Sequence, residues 1–438
     1  MNKQKNQGSF WGLVPLLVFL ILYVITGITT NNFNSMPLMI GIMIASAIAL
    51  LMPKVGAKKQ LSFTEKVTKY CIGGGDNGLI LMVIIFLMAG GFYGVSKSMH
   101  AVDAVTNLGL SILPLKLILP GLFVIGCIIS FAMGTSMGTV AALMPIAVSL
   151  ALKTHGNMAL FCGTIVGSAM FGDNLSMISA SVIAADRTQD VQAAAKFKTN
   201  FLMIFPALII NIILLAMQPL GKNVHLSGNY HYDIVNLLPY VVVIILSFTG
   251  MNVLPVLTIG MLTGIVIGVW HGNFSLIKSM TIIHNGMLNM EDMALIAILV
   301  GGLVALMDYL GGIDWILNLL TRRVKSSRGG EFAIASLVSL LDIITTNNTI
   351  SIITAGPLAK DISVQFNIPP ARTASNLATF SCIFNGLIPY GGQLLVAGGL
   401  ANISPVKIVP YSWYCLLMLV FSIIFILIGF RYNKKVMV

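Results

Sequence analysis

The chain has 438 residues, of which 57% are hydrophobic and only 9% charged, with a mean hydropathy of +0.93. Soluble domains carry roughly 25% charged residues, so a soluble enzyme is excluded, and apolar runs of about 15 to 25 residues call for spanning α-helices rather than the alternating strands of a membrane barrel. The net charge of +11 sits in short clusters between apolar runs, the pattern of the positive-inside rule and not of a nucleic-acid-binding face.

In chain order, the run Phe10 to Thr29 follows Lys3 and Lys5. It is long for a signal peptide and lacks an A-x-A cleavage signal, so it is expected to be an uncleaved first span. A second run, Pro37 to Met52, ends at a cluster of Lys54, Lys58, Lys59, Lys66 and Lys69. With both lysine groups inside, the N-terminus is expected to be cytoplasmic. A Gly73-Gly74-Gly75-Asp76-Asn77-Gly78 turn then opens a span near Leu79 to Tyr93; it has no Walker lysine, which argues against a phosphate loop.

From Ile112 to Leu152 the apolar sequence breaks at Met133-Gly134-Thr135-Ser136-Met137-Gly138-Thr139 and contains Pro145. The leg after the break, Val140 to Leu152, is short for a crossing, so the pair reads as a re-entrant hairpin, with two short crossings as the alternative. Met158 to Ala185 is interrupted at Phe171-Gly172-Asp173-Asn174-Leu175-Ser176, a broken helix. Asp186 to Asn200, with Arg187, Lys196 and Lys198, reads as a cytoplasmic loop. A span from Phe201 to Met217 leads to a polar linker, 218–233.

The remainder repeats this plan. Spans are expected near Leu237 to Phe248, Val253 to Trp270 and Met293 to Met307, followed by a loop with Arg322, Arg323, Lys325 and Arg328. A second hairpin, Phe332 to Ala359, breaks at Thr345-Thr346-Asn347-Asn348-Thr349 and contains Pro357. A second broken segment, Ala374 to Ala401, carries Asn385-Gly386 and Pro389-Tyr390-Gly391-Gly392-Gln393. A last span, Tyr411 to Phe430, ends at Arg431, Lys434 and Lys435. Pro145 and Pro357 are 212 positions apart, and Gly90-Gly91 against Gly301-Gly302, Asp103 against Asp314 and Asn107 against Asn318 all differ by 211.

This near-constant offset predicts an all-α polytopic membrane protein of two repeats, 1–217 and 234–438, each with about five spans, one re-entrant hairpin and one broken helix. An odd number of spans per repeat makes the two halves inverted, so that one hairpin enters from each side. Loops placed inside by this count are the basic ones: the lysine cluster, Asp186 to Asn200, the Arg-rich loop, Lys360 to Arg372 and the C-terminus.

Asp173 is the acidic residue most firmly inside a predicted membrane segment. A desolvated carboxylate holds a proton more tightly and a bound cation displaces it, which is the physical basis of cation/proton exchange. The structural alternative is an aspartate capping the orphan amides of a half-helix. Thr135, Ser136, Asn347, Asn348 and Thr349 supply neutral oxygens at the two breaks, suited to a hard cation such as sodium, or else to hydrogen bonding between helices. Asp342, one turn before the second break, is the next acidic candidate, for an ion or for a basic partner. Asn174, beside Asp173, completes the candidate set. The six histidines lack ligand spacing, the five cysteines show no CxxC, and no nucleophile elbow, Walker, zinc or heme motif is present, so no cofactor is expected and energy would come from an ion gradient.

The runs Gly134-Thr135-Ser136-Met137-Gly138-Thr139, Phe171-Gly172-Asp173-Asn174-Leu175-Ser176-Met177-Ile178-Ser179 and Arg187-Thr188-Gln189 resemble the NhaC-type sodium/proton antiporter family. So do Asn347-Asn348-Thr349, Ala355-Gly356-Pro357-Leu358-Ala359-Lys360, Phe380-Ser381-Cys382 and Gly386-Leu387-Ile388-Pro389-Tyr390-Gly391. The resemblance implies a secondary transporter of the ion-transporter superfamily in the cytoplasmic membrane, with sodium and protons as its partners, Asp173 as a sodium ligand, and a homodimer. Members of the wider family exchange organic acids or amino acids, so a small organic substrate is the alternative. The chain departs from the family pattern at Ala180 and Ala378, where aspartates are expected, which leaves Asp173 nearly alone to carry cation chemistry.

Overall fold

The computed structural model describes residues 8–30, 35–57, 59–112, 114–176, 179–219, 232–249, 251–321 and 326–429. The described residues are helical throughout, without a strand. The 3-10 turn Phe10–Leu13 opens the first half, followed by α1 (Val14–Thr29), α2 (Leu38–Leu51), α3 (Phe63–Gly74), α4 (Asn77–Ser98) and α5 (Ala101–Ile112). Then come α6 (Leu115–Met133), α7 (Ser136–Lys153), α8 (Met158–Leu175), α9 (Ala180–Gln189) and α10 (Ala193–Ala216). A matching 3-10 turn, Ile234–Leu237, opens the second half. It continues with α11 (Leu238–Phe248), α12 (Val253–Trp270), α13 (Leu276–Leu288), α14 (Glu291–Tyr309) and α15 (Gly312–Thr321). The series ends with α16 (Ser327–Thr345), α17 (Asn348–Gln365), α18 (Pro370–Asn385), α19 (Gly392–Ala401), α20 (Pro405–Ile408) and α21 (Trp413–Ile428).

The backbone carries a signature of this repetition that side-chain identity hides. Four pairs of residues in the left-handed region, His100/Gly311, Gly134/Thr346, His155/Asn367 and Asp190/Asn402, are separated by 211 or 212 positions (311 − 100, 346 − 134, 367 − 155, 402 − 190). A non-glycine residue there costs roughly 1–2 kcal/mol and persists only where surrounding packing over-determines it. Helix contacts are reciprocal in the same sense: α3 packs on α14 and α13 on α4, while α7 packs on α19 and α17 on α9.

Glycines set the closest of these approaches. A Cβ on Gly90 would meet the Gly286 carbonyl oxygen at 2.2 Å, and one on Gly286 would meet that of Gly90 at 2.3 Å. In the related contact, a Cβ on Gly73 would lie 2.6 Å from the Gly301 carbonyl oxygen, and one on Gly301 would lie 2.8 Å from that of Gly73. Small residues at such crossings let membrane helices pack backbone to backbone.

Several expectations change. The lysine cluster is not simply a loop: α3 begins at Ser62, whose side chain and Glu65 form a reciprocal capping box. Within α3, Lys66 donates to the carbonyls of Leu50 (3.0 Å) and Met52 (2.7 Å), closing the C-terminal end of α2. The predicted loop 186–200 is almost wholly helix, with Lys196 and Asn200 buried inside α10. Arg372, expected in a loop, is buried in α18 against Glu331. The second leg of the first hairpin starts at the break itself, so α7 has 18 residues and a length of about 27 Å. Its sequence looked short only because its first turn is polar.

Among the described residues, six helical segments are long and apolar enough to cross a membrane: α4, α6, α7, α8 taken together with α9, the body of α10, and α12. A seventh arises if α19 and the segment after it, bent by 101°, count as one span. The runs expected as spans around α1, α2, α11, α14 and α21 are shorter apolar helices. Residues 220–231 of the predicted linker, Arg322, Arg323, Lys325 and the C-terminal basic cluster lie outside the described residues.

Candidate functional site

Both hairpins turn by the same local device. Helix α6 ends in Gly134 (φ 63°) and α16 in Thr346 (φ 52°), and the next residue is extended and caps the following helix with its own side chain. The Thr135 hydroxyl faces the Gly138 amide, and the Asn347 side-chain oxygen accepts from the Ile350 amide at 3.1 Å. Thr135 and Asn347 are thereby occupied in satisfying orphan helix donors. The residues after them, Ser136 and Asn348, are freed to point inward.

They converge on Asp173, which is 6% exposed. Its Oδ2 accepts from Ser136 Oγ at 2.8 Å and from Asn348 Nδ2 at 3.5 Å. Its Oδ1 accepts from Ser179 Oγ and, at 3.3 Å, from Ser181 Oγ. Gln393 Nε2 donates to Ser136 Oγ at 3.0 Å, adding α19 to the same network. Helix α8 ends at Leu175, after Asp173, so this carboxylate lies in the last turn of α8 and accepts from side chains instead of capping backbone amides. The N-terminal ends of α7, α9 and α17 meet at the carboxylate, and each contributes partial positive charge.

Asp173 opens on a cavity of about 830 Å³. Thr135, Ser136, Asn347, Asn348 and Thr349 line it, together with Asp76, Ala180, Asn385 and Gln393. Two of the predicted residues stand elsewhere. Asn174 faces away from the cavity into a buried knot: Asn200 Nδ2 donates to its Oδ1 at 2.9 Å, and Ser375 and Thr379 donate to Asn200 Oδ1 at 2.6 and 2.7 Å. That knot ties α8, α10 and α18 together. Asp342 lies fully buried on α16 and does not line the cavity. Of the family departures, Ala180 borders the cavity, whereas Ala378 is buried within α18.

Hydroxyls and amides around a carboxylate suit exchange between two states. A serine hydroxyl donates to the bare anion, and the same oxygen turns a lone pair to a cation once its proton rotates away. The donor set is oxygen-rich and holds no histidine or thiolate ligand, which favours a hard monovalent or divalent cation over a transition metal.

Sequence reasoning missed several charged groups. Lys196 is 1% exposed, and its ammonium has no hydrogen-bond partner among the described residues. Asp186, Cys382 and Asp173 are its electrostatic neighbours, so it stands behind Asp173, away from the cavity. In the sequence it looked like a loop lysine, because polar residues surround it from Asp186 to Asn200. Glu331 and Arg372 form a buried pair at 2.5 Å, with Asn376 donating to Glu331 at 3.1 Å and Arg372 lying 4.4 Å from the Phe425 ring centre.

A second cavity, about 730 Å³, is lined by Met36, Met39, Asn289, Glu291, Asn402 and Ser404 among others. Met36, Met39, Asn289 and Glu291 stand 213 positions from Thr249, Asn252, Asp76 and Gly78 of the first cavity (249 − 36, 252 − 39, 289 − 76, 291 − 78). The two cavities are thus lined at matching offsets, and among the described residues the first reaches the hairpin tips while the second does not.

Comparison with known proteins agrees with the resemblance carried by the motifs. The Na+/H+ antiporter family profile matches residues 231–430. The chain is 23% identical to the malate-2H+/Na+-lactate antiporter of Bacillus subtilis, over 94% of each chain. It is 24% identical to the Na+/H+ antiporter NhaC of the same organism, over 98% of this chain and 99% of that one. Among solved structures, the YdaH transporter of Alcanivorax borkumensis aligns over 96% of this chain and 99% of that one, with 13% identity and a TM-score of 0.44.

Proposed function

We propose that this chain, a relative of the NhaC-type antiporters, is a secondary active transporter that exchanges sodium for protons across the cytoplasmic membrane, with Asp173 as the group both ions compete for. The observation that carries this reading is the convergence of Ser136, Asn348, Ser179 and Ser181 on one buried carboxylate that also faces an open cavity. Sodium binds the carboxylate with hydroxyl and amide oxygens from both hairpin tips; a proton replaces it when the site turns to the other side. The protein is a transporter and not an enzyme, multi-pass, with both termini in the cytoplasm.

The paired left-handed turns, the reciprocal helix contacts and the two counterpart cavities support two inverted repeats, 1–217 and 234–438, joined by 218–233. In such a molecule an opposite-facing state is built by exchanging the roles of the two repeats. The cavity through Asp76 and Asn252 is then the path to the site, and the one through Asn289 and Glu291 is its counterpart, which stops short of the hairpin tips.

One observation favours a second reading, exchange of a small carboxylate. At about 830 Å³ the cavity has room for many waters, each with a share of about 30 Å³ in the liquid. Converging helix N-termini favour an anion, and one relative is named for malate and lactate.

Purified protein in proteoliposomes with an imposed pH gradient separates the two. Added sodium collapses the gradient under the first reading, without any organic acid. Under the second, collapse requires lactate or malate as well. If sodium alone and sodium with either acid leave the gradient intact, neither reading stands.

A further inference from the structure

Asp342 presents the inverse of the surroundings of Asp173. Where several side chains donate to Asp173 at hydrogen-bond distance, Ser351 does so to Asp342, and the Ser381 hydroxyl and Asn385 amide act on its carboxylate less directly. Its Oδ1 accepts from Ser351 Oγ at 3.0 Å. Its Oδ2 has no hydrogen-bond partner among the described residues, and neither do Ser381 Oγ nor both amide atoms of Asn385. Ser381 and Asn385 come from α18 and face the same carboxylate. All three residues are at most 1% exposed.

No lysine, arginine or histidine forms an ion pair with Asp342 among the described residues. The one charged group acting on it is Asp173, a second carboxylate. Both helices that supply the cluster end beside it, α16 at Thr345 and α18 at Asn385, so their C-terminal ends add partial negative charge. A buried carboxylate in such a place lacks a compensating positive charge. A proton on Oδ2 would donate to one of the Ser381 and Asn385 oxygens and leave the other without a partner. A cation satisfies all three oxygens at once, and an all-oxygen set of one carboxylate, one hydroxyl and one amide matches an alkali ion.

The repeat gives the cluster its place. Asn385 stands 212 positions after Asp173, and Asp342 stands 212 after Ser130 (385 − 173, 342 − 130). The two carboxylates thus occupy different elements of the two halves, Asp173 on the broken helix of the first and Asp342 on the first hairpin leg of the second. Asn385 also lines the cavity, so its amide separates the cavity from Asp342.

We propose that Asp342, Ser381 and Asn385 form a second monovalent-cation site, reached from the cavity past Asn385 and separate from Asp173, so that two cations bind per transport cycle. This rests on the reading of the protein as a cation antiporter.

The test is equilibrium binding of radioactive sodium to the purified full-length protein in lipid nanodiscs at alkaline pH. Two sodium ions bind per wild-type chain, and Asp342→Asn and Asp173→Asn each retain one. Ser381→Ala weakens one of the two sites at least tenfold, and it carries the test if Asp342→Asn does not fold. One ion per wild-type chain, unaffected by Asp342→Asn or Ser381→Ala, overturns the second site while the antiport reading stands. Binding of no sodium by wild type removes both.

Discussion

The two hairpin tips share a backbone and differ in chemistry. Gly134 and Thr346 adopt the same left-handed turn, and Thr135 and Asn347 the same extended cap. Yet the first tip delivers a serine and the second an asparagine to a single carboxylate, Asp173, whose counterpart in the second half is the neutral Asn385. The features that recur at the 211–212 offset are those a membrane makes hard to alter, namely turns and close crossings whose backbone groups find no water in the bilayer. It has left the side chains inside free to diverge. The turns therefore match where the side chains around Asp173 do not.

Breaking that asymmetry at its centre has the largest effect. Asp173→Asn keeps the side chain's shape but removes the charge on which both tips converge, and it lowers sodium-driven proton movement in proteoliposomes by on the order of a hundredfold or more. Next is a control in the second half. Glu331→Gln or Arg372→Met strands one charge of a buried pair, which costs about 3–5 kcal/mol and appears as a large fall in thermal unfolding temperature in detergent. The apparent sodium affinity of the surviving protein stays unchanged, because the pair ties α16 to α18 and does not touch the cavity.

Lys196 gives an effect of opposite sign. Its buried ammonium repels any cation at Asp173, so Lys196→Met tightens apparent sodium affinity by roughly 1–2 kcal/mol, the scale of a charge pair several ångströms apart at an effective dielectric near 20. Affinity that instead weakens would assign Lys196 to the fold alone. The smallest effects separate the tips from their caps. Ser136→Ala and Asn348→Ala each cost about 1 kcal/mol of cation binding, roughly fivefold in the sodium concentration for half-maximal exchange. Thr135→Ala costs a similar amount of stability and leaves that concentration unchanged.

Much of this was legible in the sequence because it depends on rules with few exceptions. Glycine, hydroxyl and amide residues inside hydrocarbon-length runs located both hairpins and both broken helices, and the 211–212 offset between landmarks matches the spacing of the left-handed turns. What was not legible is where charges go when a helix continues past them. Lys196, Asn200 and Arg372 read as loop residues because polar composition suggests solvent, whereas here neighbouring helices bury them. The role of Thr135 against Ser136 was equally hidden, since two adjacent polar residues look alike until the cap geometry assigns one to the backbone and the other to the site. Asn174 shows the same limit in reverse: beside Asp173 in sequence, it turns to the other face of α8.

The central claim is that sodium and a proton compete for Asp173. It is tested most directly by adding sodium to the purified protein in weakly buffered solution with a pH-sensitive dye, near the pH at which exchange is half-maximal. The wild-type protein releases protons on sodium addition, and its sodium affinity weakens by up to about tenfold for each unit of acidification where one proton competes; Asp173→Asn abolishes the release attributable to this site. Sodium binding without proton release, or release that persists unchanged in Asp173→Asn, contradicts the account.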